Sequence, residues 1–131
     1  MNERRHFRAG WWGLAIFASL GIFLEALHAT KAGFYLDEGN DTRRLFFRLA
    51  HAHGTLLSIV NILYALTIKA RPEADKRAIS ACLVTALVVL PAGFFLGGLW
   101  IHGGDPGIGA ALVPVGAVLL VAGAGFVARA L

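Results

Sequence analysis

Charge is scarce in this chain. Only 15% of its 131 residues are Asp, Glu, Lys or Arg and 57% are hydrophobic, where a soluble domain carries about 25% charged residues. So few charges exclude an ordinary water-facing globule and point to lipid as the solvent. Cysteine is scarcer still: Cys82 stands alone, inside an apolar run. A single thiol makes no internal disulfide and no cysteine-based zinc motif, so Cys82 reads as a small buried residue. Phosphate-binding loops, hydrolase motifs, internal repeats and low-complexity tails are all missing. The acidic stretch at 37–41 does not complete a calcium loop of the EF-hand kind. The net charge of +4 does not signal nucleic acid, because the basic residues flank apolar runs, where they set membrane orientation.

Apolar length, in contrast, is abundant. A membrane-spanning helix needs about 20 mostly apolar residues, and four segments qualify, at about 10–29, 49–68, 79–101 and 108–128. The expected fold is an all-α membrane protein, a single domain over residues 1–131 built as a four-transmembrane-helix bundle with a long outer loop at 31–48. The first span follows Arg4, Arg5 and Arg8 as a signal peptide would, but its apolar core is too long and no cleavage site follows, so it is expected to be retained.

Basic residues orient the spans. Arg4, Arg5, Arg8, Lys69, Arg71, Lys76, Arg77 and Arg129 fall on one side. Lys31, Arg43, Arg44 and Arg48 fall on the other, diluted by Asp37, Glu38, Asp41 and Asp105. The positive-inside rule then places both termini in the cytoplasm, in a membrane taken as the bacterial inner one. Trp11 and Trp12 at the inner boundary, and Phe34, Tyr35 and Trp100 at the outer, fit aromatic belts. Gly93 and Gly97 form a G-x-x-x-G pair suited to close helix packing. Pro91 and Pro114 are expected to kink the spans that hold them.

Of the five histidines, His28, His51, His53 and His102 are expected at the outer end, and His6 alone lies elsewhere. Glu25, the acidic residue well inside a span, sits about 60° around the helix from His28, near enough to share a site. His51, Thr55, Ser58 and Asn61 make a polar stripe on span two. His53 is about 200° from His51, so the two face different ways. The stripe favours His51 toward the interior, while Gly54 favours a bulky group close to the backbone near His53. Neutral imidazole suits iron, copper and zinc. A bare Cu, Zn or Fe site would draw on Glu25, His28, His51, His53 and His102, Glu25 acting as ligand or as the base behind one. The bland alternative is that the histidines merely reach water and that Glu25 and His28 satisfy each other.

The segment Ala52-His53-Gly54-Thr55-Leu56-Leu57 resembles the second helix of the haem-copper oxidase catalytic subunit. There a His-Gly pair near the outer end of the helix supplies an axial ligand to the low-spin haem. Smaller membrane proteins thought to share that ancestry also carry His-x-His near a helix start. The resemblance covers those six residues, and Leu57 stands where the family commonly has methionine. It implies His53 as a haem ligand, with His28 or His102 as the second. The ring would lie among Phe23, Phe94 and Phe95, and the propionates would reach Arg43, Arg44 or Arg48.

Three functions follow as expectations. The first is a haem- or metal-binding module for electron transfer or small-ligand chemistry, a redox module or a subunit of an oxidoreductase complex. The second is a cofactor-free accessory subunit packed among other membrane subunits. The third is proton or ion transport by a homo-oligomer, with Glu25 and the stripe lining the path. Nucleic acid is not an expected partner; the lipid bilayer is.

Overall fold

The computed structural model describes residues 2–37, 39 and 41–131; Glu38, counted above among the outer acids, lies outside them. Helix α1 (Asn2–Ala29) leads through a four-residue turn of helix, α2 (Gly33–Leu36), into α3 (Asp41–Ala70). A 3-10 turn at Pro72–Ala74 precedes α4 (Arg77–Leu99), and a second at Ile108–Ala111 leads into α5 (Leu112–Ala130). Four helical stretches are long and apolar enough to cross a membrane: Asn2–Ala29, Asp41–Ala70, Arg77–Leu99 and Ile108–Ala130. The four apolar runs match these, but α1 and α3 extend beyond them. The 30 residues of α3 rise about 45 Å at 1.5 Å each. That exceeds the hydrocarbon thickness of about 30 Å, so the charged first turns stand outside the apolar length.

Local chemistry ends the helices. Lys31 takes a left-handed φ of 52°, its N–H bonds His28 O at 3.1 Å, and the Ala32 N–H bonds Leu27 O at 3.0 Å. This is the Schellman arrangement, which satisfies the last carbonyls of α1. Pro91 is fully buried inside an unbroken α4. Pro114 falls in the first turn of α5, after the 3-10 segment, where a missing N–H is tolerated. At the end of α4, Gly97 O accepts the Gly107 N–H at 2.8 Å and Gly98 O accepts Arg43 Nε at 3.1 Å.

The helices pack in chain order. α1 lies along α3, α3 along α4, and α4 along α5, with a light contact between α1 and α4. In their most apolar stretches α3 and α4 are 39% and 44% buried, against 17% for α1 and 11% for the last helix. The molecule is therefore a row with α3 and α4 in the middle. Trp12, Ile22, Val118 and Val121 stand on the outward faces of the end helices, each more than 60% exposed. An apolar outer surface is what lipid stabilises and water does not.

Three apolar clusters follow one another along the helix axes. Tyr64, Ile68, Ile79 and Leu83 lie nearest the termini. Leu57, Ala86, Leu87 and Leu90 fill the middle. Leu24, Tyr35 and Phe47 close the end that carries the interhelical loop. The loop is tied down across the row: the Thr42 hydroxyl donates to Gly104 O at 2.6 Å, in the turn between α4 and α5.

Candidate functional site

A half-open groove of about 1120 Å³ runs between α1 and α3 at the loop end. Glu25 and His28 line it from α1, and Arg44, Arg48 and His51 from α3. Ala18 and Ile22 from α1, with Leu45 and Leu49 from α3, make the apolar part of its wall. The i, i+3 spacing of Glu25 and His28 brings both to one face, and the i, i+4, i+7 spacing of Arg44, Arg48 and His51 does the same on α3.

His51 is the best-defined polar group of the groove. Its Nδ1–H donates to the Phe17 carbonyl at 2.7 Å. Since a carbonyl only accepts, the proton is on Nδ1 and the Nε2 lone pair is left for another partner. The same anchoring of one ring nitrogen is what fixes a metal-ligating histidine. The ring passes directly over Gly21, where an added Cβ would come within 2.5 Å of it, so the groove depends on that glycine.

The cations divide sharply. Arg43 donates to Gly98 O at 3.1 Å and Phe34 O at 3.0 Å, with its guanidinium 4.2 Å from the Phe34 ring centre. It closes the end of α4 and does not line the groove. Arg44 donates to Tyr35 O and Asp37 O, both at 3.1 Å, and pairs with Asp41. Arg48 is exposed on the groove wall and bonds no other described residue.

His53 and His102 stand apart from the groove. The His53 Nδ1–H donates to Leu49 O of its own helix at 2.9 Å, and its ring packs against Phe94 at 4.8 Å between centres, on the α4 side of α3. His102 is exposed in the turn after α4, its main chain doubly bonded to Asp105 at 3.0 Å. The bulky group expected beside Gly54 is an internal one, the Phe17 ring, which a Cβ at Gly54 would meet at 2.2 Å. Phe94 and Phe95 are spent on Phe46 and Phe47, and Phe23 points outward at 57% exposure, so none of the three forms a ring-binding wall here. Among the described residues no three His, Cys, Asp or Glu side chains converge as a metal-binding group. Cys82 is a free, half-buried thiol.

The opposite end holds a polar cluster that the sequence reading passed over. His6 is fully buried, bonded to Asn61 at 2.6 Å and to Ser80 at 2.9 Å. The polar stripe on α3 thus splits. His51 opens onto the groove, while Ser58 and Asn61 are fully buried, bonding Gly54 O and Leu57 O respectively. A spacing signal was present: His6, Gly10 and Gly13 lie at i, i+4 and i+7, so His6 shares the small face that packs against α3. Its neighbours Arg4, Arg5 and Arg8 disguise it as part of a charged flank.

Comparison with protein families, with curated proteins and with solved structures returns no match.

Proposed function

We propose that this chain is an integral membrane protein, with both termini cytoplasmic, whose groove between α1 and α3 faces the outer leaflet and binds an amphiphilic ligand. The ligand class is a flat apolar body bearing an anionic group, and haem is the member that the histidines suit. One observation carries the reading: the same groove joins an apolar wall, the His51 imidazole anchored through Nδ1, and the Arg48 guanidinium, which bonds no other described residue. Its volume of about 1120 Å³ suits such a molecule, since small-molecule sites usually run from about 300 to 1000 Å³. His51 would hold the iron of a haem, His28 is the second imidazole that lines the groove, and Arg48 would take the carboxylates. When bound, it would supply reversible one-electron chemistry.

The assignment of ligand to residue departs from the resemblance, which implies His53. The ring of His53 lies against Phe94, whereas His51 fronts the groove. Haem titrated into the detergent-purified protein should give a Soret band that His51→Ala abolishes and His53→Ala leaves in place. Loss of the band in His53→Ala alone would return the assignment to the resemblance. No band at all would end the haem reading.

A second reading draws on the row of helices. The slight burial of α1 and α5 favours an accessory role, with a further membrane subunit or another copy lying against an end helix. Mild-detergent extraction would then recover a larger assembly, and a monodisperse monomer would count against it.

A further inference from the structure

His6 lies in the second turn of α1, beside three arginines, yet it has no exposed surface. Its ring lies where three helices meet. Nδ1 is 2.6 Å from Asn61 Oδ1 on α3, Nε2 is 2.9 Å from Ser80 Oγ on α4, and Tyr64 of α3 packs edge-on at 4.6 Å and 88°. The direction of every bond can be worked out. Asn61 Nδ2 donates to Leu57 O at 2.8 Å and Leu83 O at 3.3 Å, so Oδ1 is the amide atom that faces the ring. The proton of His6 is therefore on Nδ1, and Nε2 is left to accept the Ser80 hydroxyl proton. Arg5 completes the chain by donating to Ser80 Oγ at 3.5 Å, the longest contact of the set. Donors and acceptors match throughout for a neutral imidazole.

A proton added to Nε2 would remove the acceptor of the Ser80 hydroxyl. It would also place a positive charge in a fully enclosed position next to Arg5, and burying an unpaired charge is costly. The charged or titratable groups around the ring are few. α1 supplies Arg5, α3 supplies Tyr64, whose hydroxyl bonds Ala74 O at 2.9 Å, and the turn before α4 supplies Asp75, which holds Asn2. α4 faces the ring with Ser80, which does not titrate, while Lys76 and Arg77 flank its start. α5 carries Arg129 in its last turn. Asp75 alone among these would favour an imidazolium.

We infer that His6 is a proton-operated latch: neutral, it pins the terminal end of α1 to α3 and α4, and protonated, it lets that end go. A released ring takes up its proton near the ordinary histidine value of about 6.5. Above that pH neither state is protonated and the latch keeps its full strength. Below it the released state gains protons that the closed state refuses, so closure weakens as pH falls. None of the latch residues lines the groove at the other end, so this inference stands apart from the ligand reading.

The test uses the full chain in liposomes with Trp100→Phe, which leaves Trp11 and Trp12 on α1 as the remaining indoles. Their emission is followed from pH 8 to pH 5. The latch gives a sigmoidal change with its midpoint below about 6.5, and His6→Gln removes it. Asn61→Asp sets a carboxylate against Nδ1, lets the closed state hold the imidazolium, and so lowers the opening midpoint by about one unit or more. A flat profile in the parent protein, a transition that survives in His6→Gln, or a midpoint unmoved or raised by Asn61→Asp would each overturn the latch. Should His6→Gln fail to fold, the Asn61→Asp shift decides.

Discussion

Three histidines of this chain meet three different fates through the face they occupy. His6 is enclosed and doubly bonded, His51 is anchored at one nitrogen and open at the other, and His53 turns back on its own helix beside Phe94. Among the partners, Asn61 is the most exacting. Its carbonyl oxygen holds His6 while its amide nitrogen holds two backbone carbonyls. Asn61→Leu keeps the volume but leaves the buried His6 Nδ1–H without an acceptor, a loss of about 1–3 kcal/mol. Thr67→Val, which removes a hydroxyl exposed on α3 and bonded to Leu63 O, should fall within about 0.5 kcal/mol of wild type. Thermal unfolding in one detergent compares the two. At this scale the sequence was half legible. Angular position on a helical wheel separated His51 from His53 and joined Glu25 to His28, because a regular helix fixes those angles. It did not reveal that Arg43 and Arg44 are consumed by main-chain carbonyls of the loop and of α4, since their partners Phe34, Tyr35 and Gly98 come together only when the chain folds.

The helices meet through main chain in places, and glycine sets how closely. At Gly116 of α5 an added Cβ would come within 2.7 Å of the Leu90 backbone on α4, whereas at Gly125 it would meet nothing within 4 Å. Gly116→Ala must push two helices apart and should cost about 1–3 kcal/mol. Gly125→Ala should be neutral or stabilising by about 0.5–1 kcal/mol, through the better helix propensity of alanine. Paired unfolding curves check this, and equal effects would show that the α4–α5 seam is looser than described. Element positions were largely readable from apolar run length, since a span must match the bilayer. The early start of α1 at Asn2 was harder to see, because hydrogen bonding continues a helix past the point where hydropathy stops marking it. The Gly54 signal was read correctly as close approach, but periodicity does not say that Phe17 is what approaches.

For the whole molecule, the proposed orientation is a property that site-directed labelling can read. In a Cys82→Ala background, a cysteine in place of the exposed Asp105 should react with an impermeant maleimide on intact cells. A cysteine in place of the exposed Glu73 should react only after permeabilisation. The reverse pattern would turn the protein over and put the groove inside. Short connections made consecutive helices expected neighbours, but the outward faces of four apolar helices carry too little periodic signal to say which pair lies in the middle. The arrangement found is a row in which each long helix lies beside the one before it in the chain. That order has a meaning for biogenesis. A membrane protein is threaded into the bilayer from its N-terminus, and here each new helix finds its main neighbour already in place. The row can therefore be assembled at the pace of synthesis, with no span left waiting for a partner at the far end of the message.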